Sequence, residues 1–251
     1  MKNLLLLFFL FAAFGLQAQE ESTPENIMFE SIILEPDPEN ILEFRENMRA
    51  HNMKYHGEEG PHQAYVYHIS TGPNVGKVVW MMGPCSWADL DNRPSADGHD
   101  EDWAANVVTL LEGMEHGEYW KRDAGLSKES MDKQYPMIYI RYHNISKSEG
   151  YRANPLLKRI SETIKSIDAV KSWSVYDNLL RQGYRTGRHI AMVSGMDSWA
   201  EMDDNWEFVK AYEAIYGENT FNSFAREMEE ISTDSWDEIW TFDSYMSGRP
   251  E

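Results

Sequence analysis

Two histidines and two arginines in the second half of the chain have the types and spacing that proton transfer on an anionic molecule would need. Arg141 and His143 alternate with Tyr139 along one stretch, and Arg188 and His189 stand together at the start of another. In a strand, alternation sends Tyr139, Arg141 and His143 to one face and Ile138, Ile140 and Tyr142 to the other. If the two stretches are antiparallel neighbours, the end of one meets the beginning of the other and the basic groups converge. An imidazole exchanges protons near neutral pH, which suits His143 and His189 as proton carriers. Guanidinium groups hold carboxylates, enolates or sulfates, which suits Arg141 and Arg188 as anion holders. Tyr139 and Tyr176 would supply walls. Arg181 and Arg185 make residues 181–189 the most basic stretch of the chain, whereas the corresponding places of the first half hold Glu30, Ile32, Leu34, Lys77 and Val78. The competing reading pairs these basic groups with surface carboxylates, abundant among the 42 acidic residues.

Other chemistry is thinner. His51, His56, His62 and His68 share one window. His51 and His56 are five apart, which does not place both on one helical face, and His51 falls on an apolar stripe. A core histidine bonded to a backbone group is the expectation there, and no metal ligand is assigned. Gly72 to Lys77 resembles a phosphate loop only faintly: one residue is missing, Val78 stands where Ser or Thr is required, and the loop joins two strands. No nucleophile elbow, Cys-x-x-Cys pair or His-Glu-x-x-His pattern occurs. The single cysteine, Cys85, excludes an internal disulfide and reads as a small buried residue beside Gly83-Pro84. The tryptophans, among them Trp80, Trp87, Trp199 and Trp240, are core candidates whose number also allows an aromatic-lined cavity.

The elements that must position these residues come twice. Gly76-Lys77-Val78-Val79-Trp80-Met81-Met82-Gly83 is closed by Ser86-Trp87-Ala88-Asp89-Leu90-Asp91. It returns 112 positions later as Gly187-Arg188-His189-Ile190-Ala191-Met192-Val193-Ser194, closed by Ser198-Trp199-Ala200-Glu201-Met202-Asp203. Trp120, Asp123 and Ser127 return 120 positions later as Trp240, Asp243 and Ser247. Between these anchors each half reads strand, helix, strand, turn, strand, helix, strand. Strands are expected near 28–34, 63–70, 77–82 and 118–127, then 137–143, 172–180, 189–194 and 237–243. Ile41, Phe44, Met48, His51 and Tyr55 form one helical stripe after the Asp37-Pro38 start. Trp103, Val107, Leu110, Leu111 and Met114 form another. Asn154-Pro155 is expected to open a helix carrying Leu156, Ile160, Ile164 and Ile167. Helical stretches through Trp206 to Tyr216 and Phe221 to Ile231 complete the second half.

Residues 1–19 stand apart. Lys2, the apolar run Leu4 to Leu16, and Leu16-Gln17-Ala18 before Gln19 have the order of a secretory signal, and the run is shorter than the roughly 20 residues a membrane span takes. A periplasmic or secreted protein is expected. The formal charge of −19, one unit more negative without Lys2, repels phosphate backbones and anionic lipid, so neither nucleic acid nor membrane is an expected partner.

Each half thus has the β-α-β-β-α-β order of a ferredoxin-like unit, whose sheet leaves one face uncovered. Fold class α+β is expected: residues 20–131 and 132–251 as two such repeats, packed sheet to sheet as an α+β barrel within one chain. In that order and duplication the chain resembles the dimeric α/β barrel superfamily. This superfamily includes antibiotic-biosynthesis-monooxygenase-like proteins, stress-responsive barrel proteins and, more distantly, chlorite-dismutase-like haem proteins. The resemblance carries no catalytic motif and transfers no site residue. The first reading is an exported barrel that binds a small organic molecule; the resemblance implies cofactor-independent oxidation or proton transfer for any chemistry it performs. The alternatives are a non-catalytic structural or interaction protein and a haem protein with a histidine as axial ligand.

Overall fold

The computed structural model describes residues 28–57, 60–94, 98–115, 117–128, 133–180 and 189–249. The expected signal segment lies outside them, as do Arg181, Arg185 and Arg188. Among the described residues no helix is long and apolar enough to cross a membrane.

The first half runs β1 (Met28–Pro36), α1 (Ile41–Tyr55), β2 (Ala64–Ile69), β3 (Val78–Cys85), α2 (Trp87–Leu90), α3 (His99–Asp102), β4 (Leu111–Met114) and β5 (Glu118–Asp123). A π-turn over Trp103–Val107 and a 3-10 turn over Val108–Leu110 continue α3. The second half runs β6 (Met137–Ile145), α4 (Gly150–Ser166), β7 (Ser174–Asn178), β8 (Ile190–Met196), α5 (Phe208–Tyr216), α6 (Phe221–Ile231) and β9 (Ser232–Phe242), with a 3-10 turn at Trp199–Asp203 after β8.

Local chemistry explains the starts. Asp37 accepts the Glu39 amide and Pro38 pre-sets the first turn ahead of α1. Ser86 and Asp89 form a reciprocal capping box on α2. Two expectations shift. Helix α4 begins at Gly150, so Pro155 lies in its second turn and does not open it. The stripe expected to run helical through Met114 breaks at Leu110, and Leu111–Met114 becomes β4. The cause lies in β1: β5 pairs only with Met28–Ser31, and β4 takes the backbone groups of Leu34–Pro36 that would otherwise stay unpaired.

All strand pairs are antiparallel, and the sheet closes on itself in the order β1-β3-β2-β9-β6-β8-β7-β5-β1, with β4 beside β1. Each half contributes four consecutive strands of the ring in the same internal order. The two sheets therefore do more than face each other: β2 pairs with β9, and β5 pairs with β7. Matching turns stitch both seams. The Ser127 and Ser247 hydroxyls each donate to the carbonyl four residues back, at Asp123 and Asp243. Each hydroxyl also accepts an amide from the other half, Val175 N–H for Ser127 and Val66 N–H for Ser247. The hairpin turn after β2 docks on β9 as well. Gly72 there has a φ of +88°, and a Cβ would collide with the Asp237 carbonyl.

Three apolar regions result. Ile33, Tyr67, Val79, Trp120, Ile140, Tyr142, Ala191 and Trp240 fill much of the barrel interior. Outside it, Phe44 and Met48 of α1 pack on Leu34, Val78 and Trp80. In the second half Leu156, Leu157, Ile160, Ile164, Tyr212 and Phe224 pack on Val175, Ile190 and Met192.

Candidate functional site

The barrel interior keeps a cavity of about 530 Å³, within the ordinary range for small-molecule sites. Strand alternation selects its lining: Trp120 and Arg122 from β5, Ile138, Ile140 and Tyr142 from β6, Ala191 and Val193 from β8. Aromatic rings form much of the wall. Phe29 meets Tyr176 edge-on at 6.3 Å, Trp120 lies 5.9 Å from Tyr142, and Tyr67 lies 6.0 Å from Trp240.

Polar groups are set into the same wall. Arg122 is buried and its Nε donates to Ser174 Oγ at 3.2 Å. The Gln134 amide donates to the Tyr67 hydroxyl at 2.9 Å. Burial pushes the Tyr176 phenol up to about 12 and raises Tyr67 as well, so both stay protonated at neutral pH and act as O–H donors. Tyr135 lies against Gly195, where any Cβ would strike its ring. Among the described residues lining the cavity there is no histidine, cysteine or carboxylate.

Beneath the cavity the duplication shows again. The Trp120 indole donates to Glu118, and the Trp240 indole donates to Glu238 at 2.8 Å. Both carboxylates are fully buried. Trp236 and Asn74 also donate to Glu238, so its side-chain oxygens accept three hydrogen bonds. Sequence reading did not single these glutamates out. Their 120-residue separation, equal to that of the tryptophans beside them, was the available signal.

The structure separates the expected histidine–arginine corner. Strands β6 and β8 are antiparallel neighbours, as expected, and His143 stands opposite Ile190. His143 therefore shares the outer face with Ile190, while His189, one residue earlier, turns to the inner face. His189 is completely buried and its Nδ1 accepts the Ile145 amide at 2.9 Å. His143 contacts Ser232 Oγ at 3.3 Å, and burial pushes it down to about 4. Arg141 is exposed and forks onto both oxygens of Asp237, at 2.7 and 2.8 Å. Tyr139 lies on the same outer face against Met137, Met196 and Ile239. Of the six residues proposed from sequence, Tyr176 alone reaches the cavity; Arg188 lies outside the described residues.

A second constellation lies outside the barrel, where α1 ends against α3. His51 Nδ1 meets Asp102 Oδ2 at 2.8 Å, His56 Nδ1 donates to the His62 carbonyl at 2.9 Å, and His99 Nδ1 meets Asp100 Oδ1 at 2.8 Å. Burial pushes the His56 imidazole down to about 3 and lowers that of His51. The five-residue spacing misled because His56 is the residue after the helix: its backbone has left helical geometry, and its ring swings back to within 5.3 Å of His51. His51 pairs with a carboxylate, not with the backbone group expected. His68 is elsewhere, bonded to Asp243.

No family model matches the sequence, and no curated protein matches it. Solved structures do. A candidate monooxygenase from Fusobacterium nucleatum aligns with a TM-score of 0.56 at 8% identity, over 88% of this chain and 94% of that one. An anthrone oxidase-like protein aligns at 0.51 and 12% identity, over 87% and 92%. Chlorite dismutase from Candidatus Nitrospira defluvii, in complex with imidazole, aligns at 0.55 and 7% identity, over 89% and 93%. The fold is that of the dimeric α/β barrel. At these identities the likeness extends to architecture alone. In this fused barrel both halves of the ring come from one polypeptide.

A haem group needs an axial side chain, most often histidine or cysteine. The cavity lining holds neither among the described residues. In the second half the space between helices and sheet is closed by apolar packing. Haem held by a histidine does not fit the described residues of the cavity lining.

Proposed function

We propose that the barrel interior binds a small planar aromatic molecule carrying an anionic or phenolic oxygen. The observation that carries this reading is the cavity itself: ring-lined walls that also carry the Arg122 guanidinium and the Tyr67 and Tyr176 hydroxyls. Flat apolar surface would lie between the rings, and its oxygen would meet donors fixed by Ser174 and Gln134. Among the described lining residues no histidine or carboxylate offers itself as a base for proton abstraction from such a ligand.

Cofactor-independent oxidation is the second reading. It draws on the neighbours named as monooxygenase and anthrone oxidase-like, and on Arg122, which would stabilise a bound phenolate as the reductant of dioxygen. Residues 1–19 would direct export of the protein in either case.

Titration with 1-naphthoate and 1-naphthol, followed by quenching of tryptophan fluorescence, tests the binding. Saturable quenching is expected, and Ala191→Phe, which fills the cavity, should weaken it at least ~10-fold. Quenching that is unsaturable, or unchanged in Ala191→Phe, contradicts the reading. Oxygen uptake with 1-naphthol separates the second reading from the first.

A further inference from the structure

Three histidines of the first half meet outside the barrel, and neither reading of the cavity uses them. His51 projects from the buried side of α1, His56 follows its last turn, and His99 is the first residue of α3. Each ring has its Nδ1 against an acceptor: the Asp102 carboxylate, the His62 carbonyl and the Asp100 carboxylate, respectively. An acceptor at Nδ1 fixes the proton there, so the Nε2 of each neutral ring presents a lone pair.

These lone pairs converge. The Nε2 atoms of His56 and His99 are 3.2 Å apart, close to the roughly 3.3 Å separation that two nitrogens take around a tetrahedral zinc ion with bonds of about 2.0–2.1 Å. His51 is buried, and its Nε2 has no hydrogen-bond partner. A ligand nitrogen from each of the three residues lies within 4.8 Å of the others. Facing lone pairs and an orphaned buried nitrogen are both unfavourable unless something electrophilic sits among them.

We propose that His51, His56 and His99 bind one divalent transition-metal ion of the zinc class through their Nε2 atoms, oriented by Asp102, the His62 carbonyl and Asp100. A set of imidazole nitrogens selects zinc, copper or nickel over magnesium and calcium, which take oxygen ligands. Metal-bound histidines characteristically donate their other N–H to a carboxylate or carbonyl, and all three do so here. Three protein ligands leave a further coordination position. His99 and Tyr55 keep part of their surface exposed, so that position can take water or a small anion. The metal would be separate from the cavity. Trp80, whose ring lies 5.1 Å from that of His56, packs on the outer face of β3, while its neighbours Val79 and Met81 face the interior.

The competing occupant is a proton on His99, donated to His56. Titration of the full chain, stripped with a chelator, with Co(II) followed by Zn(II) decides between them. The expected result is uptake of one equivalent of Co(II), with the intense visible bands of a low-coordinate nitrogen-ligated ion, and its displacement by Zn(II). His99→Ala should weaken Zn(II) binding at least ~100-fold, and Asp102→Asn about 10–100-fold. His68→Ala, a histidine paired elsewhere, should leave binding unchanged. Failure of the unsubstituted chain to take up stoichiometric Co(II) overturns the proposal. So does uptake that both His99→Ala and Asp102→Asn leave intact.

Discussion

The helical layers of the two halves occupy equivalent places on the barrel and are built differently. In the second half, α4, α5 and α6 close on the sheet with a continuous apolar surface of Leu156, Leu157, Ile160, Ile164, Tyr212 and Phe224. In the first half, α1 packs Phe44 and Met48 in the same way, but its end meets α3 through His51 and His56 against His99, with Asn52 buried beside them. The sheet beneath reflects the change. Met192 of the second half corresponds to Trp80 of the first, whose indole donates to Asn52 Oδ1 at 3.0 Å. One copy supplies stabilising burial; the other carries a buried polar cluster that burial alone would disfavour. Duplication makes that division affordable.

The largest test of this contrast is Leu157→Ala. It should destabilise the fold by about 2–5 kcal/mol in chemical denaturation, the cost of a cavity in a packed core, and leave Zn(II) affinity at the His51 cluster unchanged. A coupled loss of metal affinity would mean that the two layers are not independent.

His143 sharpens the comparison through pH. Its folded value, about 4, lies below the ordinary 6.5 because burial disfavours the charged ring and Arg141 adds repulsion. The unfolded chain therefore binds this proton more readily than the folded one. Stability is complete above pH 6.5 and falls as pH drops toward 4, by at most roughly 3 kcal/mol from this group. His143→Gln should flatten the denaturation midpoint against pH across that window, and an unchanged slope would show that His143 is not desolvated.

Asn52→Leu comes next. The Trp80 indole and the Met246 carbonyl, which Asn52 Nδ2 reaches at 2.7 Å, would both lose their partner, at about 1–3 kcal/mol. The smallest effect is expected at the seams. Ser127→Ala and Ser247→Ala should each cost about 1 kcal/mol, and similarly, because they make the same pair of bonds. A large inequality would show that the two seams close with different strength.

Much of this architecture is legible in the sequence, because duplication makes each half a check on the other. Trp120, Asp123 and Ser127 against Trp240, Asp243 and Ser247 mark the final strand and the turn that stitches each seam. Chemistry is less legible. Alternation correctly put Tyr139, Arg141 and His143 on one face, but which face looks inward depends on ring closure, and here that face looks out. The one-residue offset between His189 and Ile190 then separates the two histidines. The histidine cluster was hidden by the assumption that helical spacing governs His56, which lies one residue beyond the helix. His99 comes from 43 positions further on, and its neighbour Asp100 holds the His99 ring while Gly98 takes the N-terminal position. Contacts across such a distance leave no local pattern.

Native mass spectrometry of the full chain, purified without added ligand, tests the central claim that the closed ring encloses a ligand site distinct from the histidine cluster. The account predicts a small aromatic adduct on the unsubstituted chain, lost in Ala191→Phe and retained in His99→Ala. A bare chain, or an adduct that survives Ala191→Phe, would contradict it.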